Sequence, residues 1–190
     1  MLNSKTGPKG ADAHIEKLAA YLYKQLKALW KLSDSEFEAY GRCYRNGSDL
    51  GYVPEVFVSG TDANNTIYNG IQFDKTRMNA LFFFSAGQRE KINEGQSTLP
   101  VSIIFMVNIT ALKPAVVHRA DEEIRNDVGK LISQGFHQFE LDSIETGLKN
   151  VFREFDGYLN KDGQIFEDRH PLYCFRVNTE LKYILTETFC

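Results

Sequence analysis

The stretch that decides the fold stands near the end of the chain: Leu172-Tyr173-Cys174-Phe175-Arg176-Val177-Asn178-Thr179-Glu180-Leu181-Lys182-Tyr183-Ile184-Leu185. Tyr173, Phe175, Val177, Thr179, Leu181, Tyr183 and Leu185 fall on one side, and Arg176, Asn178, Glu180 and Lys182 on the other. Successive side chains of a strand point to opposite faces. This period of two therefore predicts a long strand with one face in a core and the other wet or against a partner.

A core face of that length needs further strands to extend it. Val101, Ile103, Phe105, Val107 and Ile109 alternate in the same way, while Ile104 and Met106 load the second face, which predicts a central strand. Lys113-Pro114 stops it. Ala80-Leu81-Phe82-Phe83-Phe84-Ser85 is apolar on both faces and must be covered on both, by its own domain or by a neighbour. Tyr52 to Ser59 predicts a strand confined to a sheet edge or strand start by Pro54, followed by a loop from Gly60 to Thr66 and a short extended segment around Ile67 to Phe73. The polar, mixed-charge segment 87–99 predicts the loop of a hairpin, exposed and suited to contacts.

Helical spacing appears in three places. From Asp12 to Lys31, Ile15, Leu18, Leu22, Leu26 and Leu29 recur at steps of three and four, with Asp12 as N-cap. Asp121-Glu122-Glu123 opens a second helix, running to Ser133, whose apolar face is Ile124, Val128, Leu131 and Ile132. A third is predicted over Ser143 to Phe155, from the capping-box-like Asp142-Ser143-Ile144-Glu145, the stripe Ile144, Leu148, Val151, Phe152 and Phe155, and Gly157 as C-cap. The Gly- and Asn-containing stretch Ser33 to Asp49 reads as a polar insertion. The expectation is an α+β fold, an antiparallel sheet with helices packed on one face, formed by residues 12–190 as a single domain behind a flexible N-terminal arm over residues 1–11.

Composition sets wide limits. The chain has 190 residues, 43% hydrophobic and 25% charged, which excludes disordered and fibrous classes. Twenty-two Lys and Arg against 25 Asp and Glu leave a net charge of -3, which removes the strongest argument for a nucleic-acid binder but leaves room for a local basic patch. Cys43, Cys174 and Cys190 are too few and too far apart for a disulfide framework, so a reducing compartment fits best. Met1 to Gly10 has no apolar run of the kind a signal peptide needs, and no segment reaches the length of a membrane span.

The sequence carries no nucleophile elbow, phosphate loop, dinucleotide fingerprint, H-E-x-x-H or C-x-x-C. No cofactor is expected. His118 with Asp121 and Glu122 reads as capping charge rather than a metal site. The sharpest enzymatic candidate is Asp168 with Glu180 and Lys182, because two carboxylates and a lysine on one strand face can hold Mg²⁺ and activate water, in the manner of metal-dependent nucleases. On an alternating strand these residues are equally a solvated or cross-strand paired face.

The order of elements carries a resemblance. A helix over His14 to Trp30 leads to a strand ending Val56-Phe57-Val58-Ser59-Gly60. A polar-looped hairpin with second arm Val101-Ser102-Ile103-Ile104-Phe105-Met106-Val107 follows, then an acid-opened helix, a second helix, and the long strand with Glu180-Leu181-Lys182-Tyr183-Ile184-Leu185. This texture resembles the tail-terminator and tail-completion (neck ring) proteins of tailed bacteriophages. The resemblance lies in topology, without an invariant motif, and departs from the family in the Ser33 to Asp49 insertion and in size.

It implies a non-enzymatic virion protein at the neck or tail top, made in the host bacterial cytoplasm. Such a protein closes homo-oligomeric rings against neighbouring neck, portal or tail proteins, with DNA passing through the lumen without specific binding and no membrane involved. Phe82, Phe84, Arg89, Lys91, Glu94, Tyr183 and Phe189 are the corresponding candidates for oligomer or docking contacts. Two other classes stay open: a non-viral α+β ligand-binding or interaction domain, and the metal-dependent nuclease.

Overall fold

The structure, a computed structural model, describes residues 1–48, 51–59, 67–87, 90–116, 118–158, 166 and 168–184. The long alternating stretch is a strand, β9 (Leu172–Ile184), and it pairs antiparallel along its whole length with β7 (Gln96–Asn108), from Gln96↔Ile184 to Asn108↔Leu172. On the other side of β7 lies β5 (Ala80–Ala86), with Phe82 opposite Phe105 and Phe105 opposite Phe175. These rings form a row across three strands. Phe105 and Phe175 stack with centroids 4.7 Å apart and planes 3° from parallel, and Phe82 meets Phe105 at 5.2 Å.

The sheet is wider than expected and mixed in direction. The segment taken as a polar insertion supplies β2 (Phe37–Ser48), which lies parallel to β5 in the heart of the sheet. A register shift between Ala39 and Arg42 breaks its alternation, which is why no period of two is visible there. Beyond it, β3 (Gly51–Phe57) and β4 (Tyr68–Gly70) extend the far half of β2 as an antiparallel wing. The arm expected over residues 1–11 lies docked: β1 (Leu2–Asn3) pairs parallel with β2, and buried Asn3 accepts from the amide and hydroxyl of Ser59 at 2.9 and 2.7 Å.

The largest correction concerns the third predicted helix. Residues Phe139–Thr146 form β8, paired antiparallel with β9 at the opposite edge of the sheet, with a register shift between Leu141 and Ser143. Ile144 packs toward the face under the helices, whereas Leu148, Val151, Phe152 and Phe155 belong to the other face, so one helical stripe cannot hold them all. Gly147, in the left-handed region at φ 84, separates the strand from a single helical turn over Leu148–Val151. Gly157, expected as a C-cap, instead lies against the β3 backbone, where an added Cβ would stand 2.9 Å from the Tyr52 carbonyl oxygen.

Both long helices among the described residues share a face. In chain order they are α1 (Ala11–Leu29) and, after the short turn α2 (Ile109–Leu112), α3 (Asp121–Gly135); the turn at Leu148–Val151 is α4. Ile15, Leu18, Leu22 and Leu26 of α1 and Ile124, Val128 and Ile132 of α3 cover Phe37, Phe82, Phe84, Phe105, Phe175 and Val177. The other face carries Leu81, Phe83, Ile104, Met106 and Cys174 under Val151, Phe152, Phe155, Phe166, Phe73 and Met78. The two-sided apolar character of β5 is thus satisfied within the chain. Phe82 and Phe84 are fully buried and offer nothing to a neighbour.

One break in the sheet positions the site described next. Pro100 in β7 has no N–H to donate, and the ladder with β5 ends beside it; Gly87 donates to the Pro100 carbonyl at 2.7 Å as the chain leaves the sheet. The strand beside β7 below that point is β6 (Lys91–Asn93), joined to it by Glu94 and Gly95 with φ of 49 and 81, the two positive values of a type I′ hairpin turn. Lys91 and Glu94 are exposed on this hairpin, while Arg89 and Phe189 lie outside the described residues. No helix among the described residues is long and apolar enough to cross a membrane.

Candidate functional site

The register of four strand pairings aligns Cys43 with Ser85, Ser85 with Ser102, Ser102 with Asn178 and Asn178 with Ser143. At about 4.8 Å per strand this row of small, mostly polar side chains crosses about 19 Å of the face opposite the long helices. It marks where the apolar cover of that face stops.

Glu154, three residues past α4, closes over the row. Its carboxylate accepts from the Ser85 hydroxyl and from Nη2 of Arg176, the latter at 2.7 Å. Arg176 is 2% exposed, and its guanidinium also donates to the Ser102 hydroxyl at 2.8 Å, to Oδ1 of Asn178 at 3.0 Å and to the Val151 carbonyl at 3.3 Å. Asn178 donates in turn to the Ser143 hydroxyl at 3.1 Å. A buried guanidinium is tolerated only when a counter-charge and acceptors surround it, and this network supplies both. Burial raises the affinity of the Glu154 carboxyl for a proton, but the Ser85 hydroxyl and Arg176 outweigh it and hold the group below its ordinary value.

Two clefts open on either side of Glu154. One of about 490 Å³ is lined by Cys43, Arg45, Ser85, Phe155 and Glu154; the other, of about 340 Å³, by Ser102, Ser143, Arg153, Arg176, Asn178 and Glu180. A third of about 310 Å³ lies near the start of α1 among Lys9, Asp12, Arg42, Glu90 and Tyr183. All three reach Gly87, the residue at which β5 leaves the sheet. The chemistry on offer is polar recognition by a fixed carboxylate and guanidinium. Cys43 and Cys174 are buried thiols whose proton affinity burial raises, the wrong direction for a nucleophile.

The face expected to be wet is therefore wet only at its end. Arg176 and Asn178 belong to the network, and Lys182 pairs with Glu140 across β8 and β9. Asp168 is not brought to Glu180 and Lys182. It accepts from the Cys174 amide at 3.3 Å, and Cys174 lies about 20 Å along β9 from Glu180 at the rise of an antiparallel strand. Among the described residues no group of three His, Cys, Asp or Glu is placed to hold a metal ion. His118 is paired with Glu123 and Asp121 with Arg119. Tyr183 is buried, its hydroxyl on Glu90 and its ring 5.4 Å from that of His14.

No motif marks Ser85, Ser102 or Glu154 as site residues, and Ser143 reads in the sequence only as part of a helix cap. The one signal that pointed to this seam was a polar residue, Ser102, inside an otherwise apolar strand. Comparison of the chain with protein-family models, with curated proteins and with solved structures finds no match in any of the three.

Proposed function

We propose that the chain is a structural subunit that assembles head to tail into a closed ring, in the manner of the neck and tail-terminator rings of tailed phages. The observation that carries this reading is the pair of unlike sheet edges. Along the main strand order the outermost described strands are β4 at one end and β8 at the other, and each is hydrogen-bonded to one strand only. Two different edges on one subunit favour heterologous contacts, which close into rings when the rotation between subunits permits.

The edges also differ in form. The register shift of β8 discourages indiscriminate pairing, and its Glu140 and Glu145 are engaged by Lys182 and Arg153. The wing at the other end presents Arg45 4.0 Å from the Tyr52 ring, beside Tyr44 with Lys5 and Arg42 over its ring. In this reading the Arg176 network is a clasp that holds the sheet rigid, DNA passes through the lumen without sequence-specific contact, and the chain belongs to the virion neck or tail top beside portal or tail proteins.

Native mass and negative-stain imaging over a range of concentration test it. Closed rings, on the order of six or twelve copies, are expected. A monomer at every concentration, unchanged when two lysines are placed on the β8 edge by Glu140→Lys and Asp142→Lys, would overturn it. The clefts beside Glu154 favour a second reading as a ligand-binding domain, for which a small polar molecule raising the melting temperature of the wild type and not of Arg153→Ala is the test.

A further inference from the structure

The solvent face of α1 has a charge pattern that the rest of this acidic chain lacks. Lys17 and Lys24 are exposed, one heptad apart and so about 10.5 Å along nearly one line, flanked by Ala13, Ala20, Ala28 and the half-buried Tyr21. Lys24, Lys27, Ala28 and Lys31 then gather around a groove of about 470 Å³ at the end of the helix. No carboxylate stands on this line. Asp34, just beyond, is engaged by Lys27 at 2.5 Å and by the Tyr23 hydroxyl.

Of the seventeen other described Lys and Arg side chains ten have carboxylate partners, and the seven without one lie singly on different elements, so that only α1 gathers several on one face. Among the described residues no ion pair involves Lys17, Lys24 or Lys31. A helix face that is merely solvated gains from interleaved acids at i, i+4, and neither Lys17 nor Lys24 has an acid three or four residues away on the helix.

Lys31 adds an independent observation. The amide of Leu32 bonds the Lys27 carbonyl at 3.0 Å and that of Lys31 the Ala28 carbonyl at 3.3 Å, the paired bonds of a Schellman cap. Lys31 occupies its left-handed position at φ 54, which glycine fills without strain. A lysine here costs stability, and its charge is what it contributes.

We propose that this lysine stripe binds the phosphate backbone of duplex DNA without regard to sequence. Charge complementarity selects a polyanion. Large apolar surface beside the line is limited to Leu29, 49% exposed, and half-buried Tyr21, which packs on Phe136, and this is too little for the desolvated core that a protein interface needs. The apolar face of α1 is buried on the sheet and cannot enter a lipid surface, and the tyrosines of the helix, Tyr21 and Tyr23, are half-buried and buried rather than set out as a platform for stacking single-stranded bases. Lysine and alanine offer point charges and close approach but no planar donors for reading base edges. The inference stands apart from the ring reading, since it concerns one helix of one subunit.

The test is fluorescence anisotropy of the full chain with a labelled random duplex of about 24 base pairs. Three neutralised phosphates predict a slope of about −2.7 in log K against log salt, hence about a 40-fold loss of affinity between about 50 and 200 mM salt. Lys17→Gln/Lys24→Gln/Lys31→Gln is expected to abolish binding, while Lys75→Gln/Lys149→Gln/Arg169→Gln, an equal change of net charge elsewhere on the surface, leaves it within twofold. Lys31→Gly separates charge from folding: it is expected to raise the melting temperature and weaken DNA binding together. Absence of binding at low salt, equal loss in the two triple variants, or binding to phosphatidylserine vesicles but not to the duplex would each overturn the proposal.

Discussion

The guanidinium of Arg176 on β9 and the carboxylate of Glu154 beyond α4 close to 2.7 Å, although only 3% of the arginine side chain remains exposed. Twenty-two residues of chain separate them. Through this pair the segment that covers the second face of the sheet is locked to the central strand. Removing the carboxylate leaves a buried cation without a counter-charge, so Glu154→Ala is expected to cost about 3 kcal/mol in urea unfolding. Arg176→Met, which removes the charge itself and leaves Glu154 partly in water, is expected to cost less. Equal losses in the two variants would contradict a charge-based clasp.

The same pair sets an acid limb. The folded-state proton affinity of Glu154 lies below its ordinary value, so the native state binds fewer protons than the unfolded chain. Its contribution is present above the ordinary carboxylate value of about 4.3 and is lost as pH falls through the lower folded value. Stability of the wild type should therefore decline more steeply than that of Glu154→Gln between about pH 5 and pH 3, read from denaturant midpoints.

Glu16 on α1 behaves with the opposite sign. It is buried with Oε2 unpaired, and burial raises its carboxyl above the ordinary value, against the lowering effect of the Lys5 amide. Its contribution is thus favourable below the ordinary carboxylate value and lost as pH rises through the raised folded value. Glu16→Gln should be close to neutral at pH 4 and stabilising at pH 7 by thermal melting. No gain at pH 7 would mean that the carboxylate finds a partner in solution.

Gly41 faces that carboxyl group so closely that an added Cβ would stand 2.2 Å from Glu16 Oε1. Gly41→Ala must displace that carboxyl, the far end of a flexible side chain, from its buried place and is expected to cost about 1 kcal/mol. In the Glu16→Ala background the same substitution should cost far less, and a double-mutant cycle measures the difference.

The stacked Phe105 and Phe175 lie at the centre of the ring row, both fully buried. Phe175→Ala is expected to cost about 3–5 kcal/mol in denaturant unfolding, and Phe175→Leu less than half of that, since leucine refills most of the cavity.

The parts of the fold legible in the chain are those that repeat locally. β9 carries its period of two over a dozen residues, β7 from Val101 to Val107 while its first half from Gln96 read as loop, and the stripe of α1 carries its period of 3.6 through Leu26, so each announces its own buried face. β2 hid because a register shift reverses its alternation midway. β8 hid because Ile144, Leu148, Val151 and Phe155 keep helical spacing while serving opposite faces of the sheet. The candidate site was invisible for a different reason: Ser102 stands 76 residues from Asn178 and 74 from Arg176, and nothing local in either strand marks the other.

Sequence alone therefore determined that β5, β7 and β9 had to be buried strands and which faces of α1 and α3 had to cover them, because the hydrophobic effect acts on periodicities of a few residues. Tertiary structure decided the mixed direction of the sheet, the cover over β5 and the meeting of Ser85, Ser102, Glu154, Arg176 and Asn178. Strand register is a non-local choice, made by packing the whole sheet at once, and a polar side chain is buried or solvated only according to what that choice places opposite it.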